Sequence, residues 1–159
     1  MGSAKMDRLW ARWRSTFLSQ RKRRRCIFCA AKRSRQDRAH HVVARGERVF
    51  ALLNRYPYNN GHVMIAPYRH VGELDGFSPQ EWAEILQMSR RLIARLRRTL
   101  RPHGFNVGLN LGKVGGAGFP GHIHLHLVPR WNGDTNFMPI LADTKIVSQS
   151  LDEVYTLLR

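Results

Sequence analysis

The sequence is poor in cysteine and in acidic residues, and it contains no long apolar run. Its 159 residues include two cysteines, and 11 Asp and Glu stand against 27 Lys and Arg, giving a formal net charge of +16. No stretch approaches the roughly 18 consecutive apolar residues that cross a bilayer as a helix. The basic N-terminus also lacks the apolar core of a signal peptide. We therefore expect a cytoplasmic protein without a structural disulfide.

The basic residues are concentrated near the N-terminus, in Arg21–Arg25 and Lys32–Arg35. Such a charge favours an anionic partner, either nucleic acid, a polyphosphate or an acidic surface. A surface that only keeps the protein soluble explains the charge equally well. We predict a basic N-terminal arm over residues 1–25, in which residues 1–5 are compatible with a tag, followed by one domain over residues 26–159.

The hydrophobic pattern predicts an α+β domain built around an antiparallel sheet. Two β-rich runs, Arg48–Leu53 and His62–Ala66, flank a segment full of turn formers and predict a long hairpin. Further strands are predicted at Phe105–Asn110 and His122–Pro129. The polar residues 35–47 are predicted to form a loop that leads into the first strand.

Two helices carry clear start signals. Ser78 precedes Pro79 and Glu81, a combination typical of a helix N-terminus with a capping box. The apolar stripe that follows predicts a long amphipathic helix, which ends near Pro102. A second capping box begins at Ser150 and predicts a final helix there.

The segment His122–Val128 is the most informative part of the chain. Side chains alternate between the two faces of a strand, so three imidazoles share one face while apolar residues take the other. The three histidines are His122, His124 and His126. Imidazoles are costly to bury without partners, so this pattern indicates a functional site. It is compatible with a metal site built from all three rings or with nucleophilic catalysis by one of them.

The same segment resembles the signature of the histidine triad (HIT) family, His-φ-His-φ-His-φ-φ with φ apolar, and all seven positions match. The resemblance extends over residues 9–139. It is carried by five further segments, namely Leu9–Arg14, Cys26–Cys29, Phe50–Pro57, Gly61–His70 and Pro129–Phe137. The last of these looks most like bacterial diadenosine-tetraphosphate phosphorylases and their hydrolase relatives.

The resemblance implies a HIT-like fold, with an antiparallel sheet of about five strands, one long helix and a C-terminal helix. It also implies a homodimer that acts on dinucleoside polyphosphates such as diadenosine tetraphosphate. His124 would attack the α-phosphorus and form a nucleotidyl-histidine intermediate, while His126 would contact phosphate oxygens or the leaving group. Water or inorganic phosphate would then displace the nucleotide, so hydrolysis and phosphorolysis both stay open.

Several residues are candidates for contacts with the nucleotide. By the resemblance, Asn54 would bind the ribose hydroxyls, and Phe28 and Leu53 would wall the base. The glycine-rich loop before the triad offers main-chain N–H groups that approach a phosphate closely because no side chains intervene. The loop candidates are Asn110, Lys113, Gly116 and Gly118. The residues just before the triad include no hydroxyl side chain, so we expect no leaving-group protonation from one.

The two cysteines form a Cys-x-x-Cys motif, which by itself is compatible with a metal half-site, a redox pair or two buried thiols. The resemblance implies a structural zinc site in which two histidines complete a tetrahedron. The implied ligands are Cys26, Cys29, His70 and His122. Rival ligands are His40, His41 and His62, and buried reduced cysteines without a metal are the alternative.

Two other functions remain open at this stage. A nucleic-acid-binding zinc module would explain the charge and the cysteines, although it leaves the histidine segment and the glycine loop without a purpose. A nucleotide-sensing protein would keep the pocket without turnover, although the intact His124 argues against it.

Overall fold

The computed structural model describes residues 26–135 and 147–159. The basic arm predicted over residues 1–25 lies outside them. The described helices are α1 (Ile27–Arg33), α2 (Asp37–His40), α3 (Pro79–Leu100) and α4 (Leu151–Leu157), with a short 3-10 turn at Leu74–Gly76. The strands are β1 (Val42–Arg45), β2 (Val49–Leu53), β3 (Val63–Pro67), β4 (Gly104–Leu109) and β5 (Leu125–Arg130). No helix in these ranges combines the length and hydropathy that a membrane crossing requires.

The five strands form one antiparallel sheet in the order β1-β2-β3-β5-β4. The predicted α+β architecture is therefore confirmed, and the β2–β3 hairpin lies within one residue of its predicted bounds. The prediction of a loop over residues 35–47 is wrong, because that stretch contains α2 and β1. The valines of β1 are buried and the strand pairs with β2, so tertiary contacts override the polar flanks.

Helix α3 begins as its sequence predicts. The Ser78 side chain accepts a hydrogen bond from the Glu81 main chain, and the Glu81 carboxylate accepts one from Ser78 N–H. The Glu81 carboxylate also binds Arg69 at the end of β3, which joins the start of the helix to the sheet. The helix ends where Arg101 adopts a left-handed conformation (φ 49°) just before Pro102. The second predicted capping box, at Ser150, is likewise present.

The sheet buries a different cluster on each face. One face packs against α3, whose buried stripe is Ile85, Met88, Leu92 and Leu96. The other face carries the smaller cluster Phe28, Ala31, Val42, Phe50, Leu52, Met64 and Ala66, which α1 covers. Fully burying one large apolar side chain contributes about 1.5–3 kcal/mol, so both clusters stabilise the sheet. The histidines lie on the face covered by α1.

Candidate active site and metal centre

The three histidines of the triad segment are all buried, with exposed fractions of 0%, 4% and 7% for His122, His124 and His126. Only His126 lies within β5, where it is the register partner of Met64 on β3. The intervening residues Ile123, Leu125 and Leu127 belong to the core cluster that packs against α3. The alternation predicted from the sequence is thus present, and the apolar side chains anchor the segment from which the imidazoles project.

His124 is held by the main chain in one tautomer. Its Nδ1 lies 2.8 Å from the carbonyl oxygen of His122. A carbonyl can only accept, so Nδ1 carries the proton and Nε2 is left with its lone pair. Burial lowers the pKa of His124, against a smaller opposite effect of this hydrogen bond. The ring is therefore neutral near pH 7, which is the state that a nucleophilic imidazole requires.

His126 contacts a fourth histidine, His62, which lies just before β3. The two rings are 5.0 Å apart at their centroids, and His62 Nε2 is 2.8 Å from His126 Nδ1. His62 is only 1% exposed. Sequence analysis considered His62 only as a rival metal ligand, although its parity with Met64 places it on the triad face of the hairpin.

The glycine-rich loop before the triad depends on its glycines. Gly116 has φ 93°, and a Cβ on Gly115 would lie 2.2 Å from a main-chain oxygen of the same loop. The N–H groups of Gly116 and Ala117 donate to carbonyls inside the loop, at 3.1 and 3.2 Å, so they already have partners. Gly118 and Lys113 are exposed at the surface of the loop.

Asn110 is placed between this loop and the triad. Its Nδ2 lies 3.4 Å from the carbonyl oxygen of Gly116, 3.4 Å from Nε2 of His126 and 3.4 Å from the Tyr58 hydroxyl. The ring of Tyr58 stacks on His126 with centroids 5.5 Å apart, and 51% of Tyr58 is exposed. Sequence analysis identified Asn110 and did not identify Tyr58, which lies in a turn and follows no recognisable motif.

Asn54 makes local contacts at the end of β2. Its Oδ1 accepts a hydrogen bond from Tyr56 N–H at 2.9 Å, and its Nδ2 lies 3.3 Å from Nδ1 of His62. The first contact is the turn-stabilising role that an asparagine adopts after a strand. The second places the side chain next to the buried histidine pair.

The predicted base wall is divided between the two faces of the sheet. Phe28 lies on the triad face, 4.8 Å from His122 and 4.7 Å from His124 between ring centroids. Leu53 packs instead in the cluster against α3, and its neighbour Leu52 lies with Phe28 and Met64. The prediction of Leu53 beside Phe28 is therefore corrected to Leu52. The cause is register, since Leu52 pairs with Met64 on β3 and shares its face.

A second cluster lies beside the triad, and the four implied zinc ligands form it. The ligand atoms of Cys26, Cys29, His70 and His122 all lie within 4.8 Å of one another. Cys26 Sγ is 3.3 Å and Cys29 Sγ 3.7 Å from Nδ1 of His122. Nδ1 of His70 is 3.1 Å from Cys29 Sγ and 3.2 Å from Nδ1 of His122.

This donor set fits a zinc ion. Bonds of about 2.0–2.3 Å at tetrahedral angles separate zinc ligand atoms by about 3.3–3.8 Å, close to the distances here. His122 Nε2 lies 2.9 Å from the carbonyl oxygen of Pro67, so it carries the proton and leaves Nδ1 free to bind a metal. Burial raises the pKa of the Cys26 thiol, and a bound cation would counter that by stabilising the thiolate.

The rival ligands lie outside this cluster. His62 binds His126, and His41 has its Nε2 3.9 Å from a carboxylate oxygen of Asp152. His40 is likewise not a member of the four-residue group. Among the described residues, the geometry thus selects His70 and His122.

Comparison with known proteins agrees with this geometry. The HIT domain family model matches residues 35–133. The AP-4-A phosphorylase of Mycobacterium tuberculosis (strain ATCC 25618 / H37Rv) is 40% identical over 161 residues, which cover 96% of this chain and 83% of that protein. An uncharacterized HIT-like protein of Methanocaldococcus jannaschii is 30% identical over 129 residues, covering 81% of this chain and 95% of that one.

Solved structures show the same fold. A Zn-bound histidine triad family protein from Mycobacterium smegmatis matches with a TM-score of 0.66 and 27% identity, over 84% of this chain and 90% of that one. A hypothetical histidine triad nucleotide-binding protein from Sulfolobus tokodaii matches with a TM-score of 0.65 and 21% identity, over 84% and 89% of the two chains. This chain belongs to the histidine triad (HIT) family.

Proposed function

We propose that this protein is a HIT-family nucleotide phosphorylase or hydrolase that cleaves dinucleoside polyphosphates such as diadenosine tetraphosphate. The observation that carries the proposal is the orientation of His124, whose Nδ1 is bound to the main chain while Nε2 keeps its lone pair. The 40% identity to an AP-4-A phosphorylase supports the substrate class.

The reaction proceeds in two displacements at the α-phosphorus. In the first, Nε2 of His124 forms a P–N bond as the P–O bond to the leaving nucleotide breaks, and the leaving oxygen retains the electron pair. In the second, an oxygen of phosphate or water attacks the nucleotidyl-histidine, and the electrons of the P–N bond return to the imidazole. The hydrogen bond from Nδ1 to the His122 carbonyl stabilises the positive charge that the ring acquires while phosphorylated.

The remaining residues bind and orient the substrate. His126 and Asn110 contact phosphate oxygens from one side, and the exposed loop with Lys113, Gly116 and Gly118 contacts them from the other. At the loop, Gly118 is the better main-chain candidate because Gly116 N–H already has a partner. Asn54 contacts the ribose. Phe28 forms the base wall, together with Leu52 rather than Leu53.

A structural zinc ion is the second part of the proposal. Cys26, Cys29, His70 and His122 would hold it, and four protein ligands leave no open position for catalysis. When bound, the ion joins the start of α1 to the loop after β3 and to the segment before β5. The likeness to the Zn-bound protein from Mycobacterium smegmatis supports this assignment.

The third part is a homodimer formed along β4. This strand ends the sheet, and its residues are partly or fully exposed, with Val107 at 51%. An exposed edge strand is a template for pairing with another chain. Sedimentation analysis should give the mass of two chains. Val107→Lys should shift the equilibrium towards the mass of one chain, and a parent protein that sediments as one chain contradicts the dimer.

Product analysis with diadenosine tetraphosphate tests the function. Attack at the α-phosphorus releases ATP, and the second step then gives ADP with phosphate or AMP with water. We expect ADP only when phosphate is present, as the name of the mycobacterial relative suggests. AMP with or without phosphate identifies a hydrolase instead. Absence of any turnover with purified, folded, zinc-loaded protein contradicts the proposal.

Binding of a nucleic-acid backbone is a second candidate property. Arg21–Arg25 lie outside the described residues, and Lys32 donates a hydrogen bond to the Tyr68 carbonyl. The sequence, however, has no acidic residue from 85 to 133. The C-terminal part of α3 exposes four arginines that form no ion pair with a described residue, namely Arg90, Arg91, Arg97 and Arg98. The members of each pair seven residues apart lie on one side of the helix, about 10.5 Å apart along its axis.

Fluorescence anisotropy with a DNA duplex at several salt concentrations tests this property. Binding should be independent of sequence, and each phosphate contact should contribute about −0.9 to the slope of log affinity against log salt. The double variant Arg91→Glu/Arg98→Glu should flatten that slope, whereas the control Arg48→Glu should leave it unchanged. A surface that only keeps the protein soluble gives no salt-dependent binding. Unchanged turnover in both variants makes the binding a separate property.

A further inference from the structure

His62 is a buried histidine to which neither the metal cluster nor the nucleophilic step gives a role. It directly precedes β3 and is 1% exposed. Its ring lies 4.7 Å from the Tyr58 ring and 5.0 Å from the His126 ring between centroids. A buried imidazole needs hydrogen-bond partners at both nitrogens, and the identity of those partners decides where its proton resides.

The partner at Nδ1 is unambiguous. The main-chain N–H of Tyr58 donates to Nδ1 of His62 at 3.1 Å, and the Asn54 amide nitrogen approaches the same atom at 3.3 Å. A main-chain N–H can only donate, so Nδ1 is unprotonated. A neutral His62 therefore carries its proton on Nε2, which donates to Nδ1 of His126 at 2.8 Å.

The proton position of His126 follows from that of His62. Because its Nδ1 accepts, a neutral His126 carries its proton on Nε2, on the side of Asn110 and the glycine-rich loop. Asn110 Nδ2 is itself a donor and has the Gly116 carbonyl to donate to. The Nε2–H of His126 is therefore free to donate to a ligand. His124 has the opposite arrangement, with a lone pair on Nε2.

We propose that His62 is a positioning residue that holds His126 in the Nε2–H tautomer, so that His126 donates a hydrogen bond to an oxygen of the substrate phosphates while the neighbouring His124 attacks. The inference rests on the proposed function for the identity of the substrate. A preorganised donor aimed at developing negative charge is an effective way to stabilise a phosphoryl-transfer transition state.

The electrostatics of the pair agree with this arrangement. Burial, with the neighbouring His126 and His124, lowers the pKa of His62 to about 3. Burial and then His124 lower the pKa of His126 to about 4. Both rings are thus neutral at pH 7, and a neutral ring with a partner at Nδ1 has only one place for its proton. The donor function therefore needs no positive charge on His126.

Nitrogen-15 NMR of the histidine side chains of the parent protein tests the tautomer without any substrate. We expect a protonated Nε2 and an unprotonated Nδ1 for His126, and the reverse for His124. A protonated Nδ1 on His126 overturns the inference. This arm is decisive even if the protein does not cleave dinucleoside polyphosphates, so a failure of the proposed function is distinguishable from a failure of the inference.

Two substitutions test the consequence for turnover of diadenosine tetraphosphate. His62→Gln retains an acceptor for Tyr58 N–H and a donor for His126, so it should keep the tautomer and stay within about 5-fold of parent kcat. His62→Leu removes the donor and should lower kcat by about 10–100-fold, the range seen when a supporting partner of a functional histidine is lost. KM should change less than kcat. The control His103→Leu replaces an exposed histidine and should change neither.

The outcomes separate positioning from a general packing role. Equal losses in His62→Gln and His62→Leu, with the His126 tautomer unchanged in both, overturn the inference. If His62→Leu does not fold, the parent spectrum and the kcat of His62→Gln still decide.

Discussion

The two imidazole clusters lie side by side on the same face of the sheet, and they handle the same chemical group in opposite ways. In the metal cluster, His122 donates from Nε2 to the Pro67 carbonyl and turns Nδ1 towards the cysteines. In the reactive cluster, His124 donates from Nδ1 to the His122 carbonyl and leaves Nε2 free. The two rings lie at almost equal distances from Phe28. Their difference shows that the acceptor at one nitrogen decides what the other nitrogen can do.

The largest expected effect is that of His124→Ala. Loss of a covalent nucleophile removes the reaction path itself, so turnover of diadenosine tetraphosphate should fall by at least about 10³-fold. Zinc content should stay at the parent level, because His124 is not a member of the metal cluster. Steady-state kinetics and elemental analysis measure the two quantities. A variant as active as the parent refutes the mechanism, and an inactive parent that still binds the nucleotide indicates a sensor.

The next effect is that of Cys29→Ser, which attacks the other cluster. The variant should lose its zinc, and its melting temperature should fall by about 10 °C, since a ligand held at 1,000 times its Kd contributes about 4 kcal/mol. Below that melting temperature, kcat should stay within about 10-fold, because the metal has no open position. Elemental analysis and thermal scans with and without a chelator measure this. The control His41→Ala alters a rival ligand outside the cluster and should keep the zinc. Full zinc retention in Cys29→Ser contradicts the assignment.

Acid sensitivity comes third and concerns the reactive cluster. The folded-state pKa values of His62 and His126 are about 3 and about 4, below the value of about 6.5 for an unfolded histidine. The unfolded chain thus binds more protons in this window, and stability is complete above pH 6.5 and is lost as the pH falls towards 4. Each ring can contribute up to about 1.4 kcal/mol per pH unit. Urea unfolding at pH 7 and pH 5, in chelator, measures the loss.

His62→Gln serves as the matched control for that measurement, because it removes one titrating ring from the pair. Its loss of stability between pH 7 and pH 5 should be smaller than that of the parent. An identical loss in the two proteins would show that the acid sensitivity has another origin.

The smallest effect compares two neighbours on opposite faces of β2. Leu52→Val and Leu53→Val should each lower the free energy of unfolding by about 1 kcal/mol, since each removes one buried methylene. Only Leu52→Val should raise KM, by about 3-fold, because Leu52 lies with Phe28 and Leu53 packs against α3. Equal KM changes in the two variants would contradict the base wall.

The sequence by itself determined the features that depend on local periodicity. A strand alternates its side chains over two residues, so His122, His124 and His126 share a face whatever the rest of the chain does. The capping boxes at Ser78 and Ser150 act within one helical turn, and both are present. The resemblance to the HIT family added the fold, which the five-stranded sheet confirms.

Only the tertiary structure decided which atoms meet. His62 and His126 are 64 residues apart along the chain, and His122 and Pro67 are 55 apart, so no local pattern reports either contact. The choice of Leu52 over Leu53 depends on the β2–β3 register, and β1 forms because β2 offers it a partner. Proton positions are set by the donor or acceptor at the opposite nitrogen. For His62, His122 and His126 that partner is brought close by strand pairing and chain folding, which period and composition do not encode.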